Sequence, residues 1–169
     1  MDFENKVLSR EISTLLYESG KTVGTAESCT GGRIAEALIA VPGASNYYKG
    51  SIISYVNEIK EKLLFVDRQT LEEKTAVCEE VAVQMVKGAC KTLNVDFAIA
   101  STGFGGPGGG TPTIPVGTIW LACGSVDDIV TFKMEEDNGR DKNLAAATSK
   151  AMQMFLDLLQ RTIAVKTEE

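Results

Sequence analysis

Apolar positions recur at helical spacing from Asn5 to Ser19, where Val7, Leu8, Ile12, Leu15 and Leu16 share a face and Gly20 is a stop. Lys21–Ala26 (KTVGTA) then predicts a short strand, weakened by Gly24. After Gly31-Gly32, the run RIAEALIA predicts an amphipathic helix that ends before Pro42-Gly43. Lys49–Val56 (KGSIISYV) is β-branched and aromatic, a strand pattern. Glu58–Leu64 predicts a short helix. Glu79–Leu93 predicts a longer one, with Val81, Ala82, Met85, Val86, Ala89, Cys90 and Leu93 on one apolar face. Asp96–Ser101 (DFAIAS) is a compact apolar strand. Val116–Cys123 and Ile129–Glu135 predict a hairpin across GSVDD, and a last helix starts near Arg140.

The early alternation of helix and strand implies parallel strands joined by crossover helices, and the late hairpin adds an antiparallel part. The expected fold is α/β: a three-layer α/β/α sandwich around a mixed, mainly parallel sheet. The chain has 169 residues and shows no repeat or linker, so one domain over 1–169 is expected.

Between these elements lie two segments that the pattern does not explain. One is TAESCTGG, residues 25–32, at the end of the first strand. The other is Thr102–Pro115, TGFGGPGGGTPTIP, with six glycines and three prolines, which excludes helix or regular sheet. In an open α/β sheet, ligands sit beyond the carboxyl ends of the strands. Both segments occupy that edge, as do Tyr55, Asn57 and Lys60 after the second strand. Ser28 or Thr30 could simply cap the following helix. The same helix N-terminus, with Gly31 and Gly32, could instead approach an anion or an oxyanion. Gly103-x-Gly105-x-x-Gly108 matches GxGxxG formally, but no helix follows it, so a dinucleotide fingerprint is excluded.

Composition narrows the chemistry. The net charge of −6 gives no basic stripe for nucleic acid, and no apolar run approaches the ~20 residues needed to cross a bilayer. The start lacks the order of a signal peptide, and a cytoplasmic protein is expected. Cys29, Cys78, Cys90 and Cys123 are widely spaced, with neither a zinc pattern nor a disulfide framework. There is no histidine, so any hydrolytic base must be Lys, Glu, Asp or Tyr. Lysine could serve where burial or a nearby positive charge lowers its pKa, and Lys60 is one candidate among several.

Taken together, TAESCTGG, VPGAS (41–45), SYVNEIK (54–60), LLFV (63–66), AVCEEVA (76–82), STGFGGPGGGT (101–111), PVGTIWLA (115–122) and GRDKN (139–143) resemble the CinA C-terminal domain family. Its enzymatic members are nicotinamide-mononucleotide deamidases. The resemblance implies a stand-alone form of that domain that assembles as a homodimer or higher oligomer and uses no metal or cofactor. Its substrate would be a small nucleotide whose carboxamide is hydrolysed to a carboxylate and ammonia. It further implies Ser28 as nucleophile, Lys60 as base and Tyr55 as the group that orients or relays the proton. Glu27, Cys29, Thr30, Gly31, Gly32, Asn57, Thr102, Gly103, Gly106, Gly109 and Arg140 would line the substrate site, with the last three glycines and Arg140 on the phosphate. Cys29 as nucleophile and a non-catalytic nucleotide-binding module are the alternatives. Cys78, Gly105 and Asn143 depart from the family pattern of Ser, Ala and a second Arg, and Asn143 is expected to weaken phosphate binding.

Overall fold

A computed structural model describes residues 3–166. A long helix, α1 (Phe3–Ser19), precedes β1 (Val23–Glu27), and the short α2 (Arg33–Leu38) leads through a 3-10 turn at Ala44–Asn46 to β2 (Tyr48–Ile53). Three helices follow: α3 (Asn57–Leu64), α4 (Arg68–Lys74) and α5 (Glu79–Leu93). Then come β3 (Phe97–Gly103), β4 (Ile119–Gly124), β5 (Ile129–Met134) and α6 (Arg140–Lys166). Sequence periodicity missed α4, in which Leu71 alone is buried. Its signal was local: the Asp67 carboxylate caps the first turn by accepting from the Thr70 amide at 2.8 Å.

The five strands form one sheet in the order β2-β1-β3-β4-β5. β1 pairs in parallel with β2 and with β3, whereas β3–β4 and β4–β5 are antiparallel. The sheet is mixed and mainly parallel, as expected: β1, β2, β3 and β5 run one way and β4 alone runs the other, because the glycine-rich loop returns the chain beside β3 without a crossover helix. The order reverses direction at β1, which makes its carboxyl end a crevice between diverging connections.

Side chains alternate across the sheet and build two cores. Phe97, Ile99, Ile119, Leu121 and Cys123 face a cluster with Leu8, Ile12 and Leu16 of α1 and Leu144, Phe155 and Leu159 of α6. Ala26, Ala98, Ala100 and Ala122 face the other way, against Val81, Met85, Val86 and Ala89 of α5. Those alanines keep that face of the sheet shallow, so α5 packs close to it. This is the three-layer α/β/α sandwich expected from the pattern.

α5 also lies tightly against α3, the helix that carries Lys60. A β-carbon added at Gly88 would overlap the Leu64 carbonyl, which is backbone and cannot rotate away. Helix propensity alone favours Ala over Gly by about 1 kcal/mol. Gly88→Ala is nevertheless expected to lower stability by more than about 2 kcal/mol, because overpacking must displace α3. Urea unfolding of the variant checks the sign.

Candidate active site

Beyond the carboxyl ends of β1, β2 and β3, three connections enclose a pocket of about 300 Å³. Ser28 and Cys29 enter it from the end of β1. Tyr55, Asn57 and Lys60 come from the end of β2 and the start of α3, and Thr102, Gly103, Phe104, Gly105, Gly106 and Gly108 from β3 and its loop. Arg140, the first residue of α6, closes the far side. A larger pocket of about 460 Å³ lies at the other end of the sheet, near Lys21, Asp96 and Ser125. It holds none of the candidate site residues.

Lys60 is the least ordinary group in the fold. It is only 1% exposed, and its ammonium nitrogen has two partners. Lys60 Nζ lies 3.0 Å from Ser28 Oγ and 2.6 Å from the Ser54 carbonyl oxygen. Ser28 itself is buried at the foot of the pocket. Among the described residues no carboxylate lines the pocket, so none of them repays the desolvation of a charged amine. Burial accordingly lowers the Lys60 pKa from 10.5 to about 8, against a smaller opposing pull from Cys29. A neutral Nζ near that pH can accept the Ser28 proton while still donating to Ser54.

Cys29 sits beside Ser28, with its side chain buried. Burial pushes its thiol up to about 11, outweighing the nearby amides and Lys60 that favour the thiolate. The start of the next helix is occupied by a different group, Glu27. The Glu27 carboxylate is fully buried and accepts from the amides of Gly32, Ile34 and Ala35 at 3.0–3.2 Å. It also accepts from the Thr25 and Thr30 hydroxyls at 2.8 and 2.7 Å. It therefore neutralises the start of α2.

This corrects the expectation that Glu27, Thr30, Gly31 and Gly32 line the substrate site. None of the four reaches the pocket, and the amides once assigned to an anion already have an acceptor. Gly31 and Gly32 instead supply positive φ, +56° and +104°, for the turn into α2.

Elsewhere the placement is mixed. Thr102 lines the pocket, yet its hydroxyl donates to the Ala76 carbonyl at 2.8 Å. Gly103 is set by close strand packing, since a β-carbon there would lie 2.6 Å from the Thr118 carbonyl oxygen. Gly109 does not line the pocket and packs against the Phe104 ring. Cys29, Gly105 and Gly106 do line it, and their amides donate to no backbone carbonyl among the described residues.

Arg140 bridges the mouth, donating to the Gly106 carbonyl at 2.8 Å and to the Tyr55 hydroxyl at 3.2 Å. Tyr55 makes no hydrogen bond to Ser28 or Lys60 among the described residues; it is an exposed rim residue held by Arg140. Asn143 is buried and structural. Its side chain donates to the Gly105 carbonyl and the Asp137 carboxylate and accepts from the Asn138 amide. It holds the glycine loop in place, so Asn143 stands for loop geometry rather than for a missing phosphate contact.

Cys78 lies outside the pocket, at the start of α5, where its side chain makes no capping bond. Phe104 was not singled out from the sequence, because a lone aromatic within a glycine run carries no pattern. Among the described residues, no three His, Cys, Asp or Glu side chains come together as a metal ion would require.

The CinA C-terminal domain family matches residues 5–159. The chain belongs to that family. It is 41% identical over 157 residues to a CinA-like protein of Trichodesmium erythraeum and 40% identical over 162 residues to one of Gloeobacter violaceus. These matches cover 92% and 95% of this chain but only 36% and 37% of those relatives, so it spans little more than a third of their length. Solved structures match over nearly their whole length. The competence/damage inducible protein CihA of Agrobacterium tumefaciens superposes with a TM-score of 0.90 at 36% identity, covering 94% of this chain and 97% of that one. A CinA superfamily protein of Escherichia coli gives 0.88 at 34% identity, covering 94% and 92%. No helix among the described residues is long and apolar enough to cross a membrane.

The lowered lysine has a thermodynamic consequence. Between about pH 8 and 10.5 the unfolded chain binds a proton at Lys60 that the folded protein has released. Stability contributed at this site therefore rises with pH across that window, and the burial penalty is fully present below it. Wild type is expected to gain stability relative to Lys60→Met between pH 7.5 and 9.5, measured by urea unfolding at each pH. A constant difference would mean that Lys60 titrates normally.

Proposed function

We propose that this domain is an amidohydrolase that removes the carboxamide nitrogen of nicotinamide mononucleotide, giving nicotinate mononucleotide and ammonia. The observation that carries this reading is the Ser28 hydroxyl, 3.0 Å from a buried lysine whose pKa falls to about 8. A serine needs a neighbouring base to attack an amide, and a chain without histidine supplies it from Lys60.

In this mechanism Ser28 Oγ attacks the amide carbon and its proton passes to Lys60 Nζ. The negative oxygen of the tetrahedral intermediate faces the Cys29 amide, with the Gly105 and Gly106 amides as further donors. As the intermediate collapses, the C–N bond breaks, Lys60 returns the proton to the leaving nitrogen, and ammonia departs from an acyl-enzyme. A water molecule then attacks the ester carbonyl and gives its proton to Lys60. The C–O bond to Ser28 breaks, Ser28 regains its proton, and the acid is released.

Arg140 suits the ribose phosphate, because a guanidinium presents paired donors in one plane. Its present acceptors, the Gly106 carbonyl and the Tyr55 hydroxyl, are neutral and exchangeable for an anion. In this scheme Tyr55 acts from the rim, on substrate and Arg140. Assembly into a homodimer or higher oligomer is part of the same proposal and is read out by sedimentation.

Ammonia release from the mononucleotide is expected with wild type. Its kcat/KM should rise with pH to a limb near 8, and it should fall by at least about 10³-fold in Ser28→Ala and Lys60→Met. Cys29→Ala should retain activity. Saturable binding without ammonia release, equal in wild type and Ser28→Ala, would make the domain a nucleotide-binding module instead.

A further inference from the structure

Glu27 is a buried carboxylate beside the nucleophile that the mechanism does not use. Five donors converge on it: three amides at the start of α2 and the hydroxyls of Thr25 and Thr30. Each hydroxyl has one proton, and both protons go to Glu27. The next contacts then acquire a direction. The Ser101 hydroxyl, 2.6 Å from Thr30 Oγ1, must donate to Thr30, and Ser51 must donate to Thr25. Tyr48, 2.6 Å from Ser51 Oγ, donates in turn to Ser51. Two chains of hydroxyl dipoles thus end on one carboxylate, an arrangement that only a group accepting at both oxygens can hold.

The inner chain reaches the active site. Ser101 also accepts the Ser28 amide through its carbonyl at 2.9 Å, while its hydroxyl holds Thr30. Glu27 further accepts the Ser54 amide through its own carbonyl at 2.8 Å, and the Ser54 carbonyl receives Lys60 Nζ. The turn from Ser28 to Thr30 is therefore fastened at both ends. Within it, Ser28 and Cys29 line the pocket.

We infer that Glu27, acting through Thr30, is a positioning residue that holds Ser28 Oγ against Lys60 and aims the Cys29 amide at the developing oxyanion. It touches neither substrate nor the reacting atoms. Its loss should therefore lower kcat and leave KM nearly unchanged, since Arg140 and the glycine loop bind independently of it. Glutamine at position 27 would turn one acceptor into a donor facing Thr30 or Thr25, and opposing donors would push the turn out of register.

The turnover readout rests on the amide-hydrolysis reading, so a second readout is independent of it. A fluorophosphonate probe reacts with an activated serine: an O–P bond forms at Ser28, the P–F bond breaks, and the serine proton passes to Lys60. Labelling at Ser28 is followed by intact mass. Glu27→Gln and Thr30→Val are expected to slow labelling and kcat by 10- to 100-fold with KM within twofold, and to keep the limb near pH 8. Thr30→Ser, which retains the hydroxyl, should restore both rates to within threefold. Thr30→Val is isosteric and carries the test if Glu27→Gln does not fold. Wild-type labelling and kcat in a folded variant would overturn the inference and leave Glu27 as a helix cap. A raised KM at unchanged kcat would overturn it in favour of substrate contact. Failure of wild type to release ammonia, with labelling still dependent on Thr30, would sink the proposed reaction and keep the positioning role.

Discussion

Everything in this site depends on burying the Lys60 amine without a counter-ion. A lysine in water holds its proton until pH 10.5 and cannot serve as a base at neutrality. Here α3 carries it beneath the sheet edge to within hydrogen-bond distance of one hydroxyl and one carbonyl. Such a site disfavours the ammonium form, and the fold accepts that cost at the one position where a neutral amine is useful. The close contact of α3 with α5 at Gly88 is what keeps the helix seated.

The rest of the architecture allocates backbone groups around that dyad. Glu27 occupies the amides that open α2. On the opposite wall Gly105, Gly106 and Arg140 line the pocket, with Asn143 buttressing the loop from behind. Two groups are thus held apart: a buried carboxylate on the turn from β1 to α2, and a guanidinium at the rim of the pocket. The net charge of −6 does not bear on the pocket itself, since no carboxylate among the described residues lines it.

Much of this was legible in the chain. Periodicity located every strand and the long helices, and the absence of histidine narrowed any hydrolytic base to Lys, Glu, Asp or Tyr, with the family resemblance singling out Lys60. Three polar segments at one sheet edge were visible as convergent, and Ser28, Tyr55, Asn57, Lys60 and Arg140 do share a pocket. Hydrogen-bond accounting was not legible. Whether Glu27 faces a ligand or its own helix depends on χ angles that spacing does not encode, and both are chemically sensible. Asn143 misled for the same reason: a position read as lost charge is a buried amide holding Gly105. That β4 returns directly beside β3 was not legible, because glycine-rich loops carry no periodicity to reveal where they return.

The central claim is that Lys60 is a neutral base at a pH where other lysines are charged. An NMR titration of lysine side-chain carbons, with Lys60 assigned by its disappearance in Lys60→Met, measures this directly. The expected Lys60 midpoint lies near 8. A midpoint at the ordinary value of about 10.5 would contradict it and remove the base from the proposed mechanism.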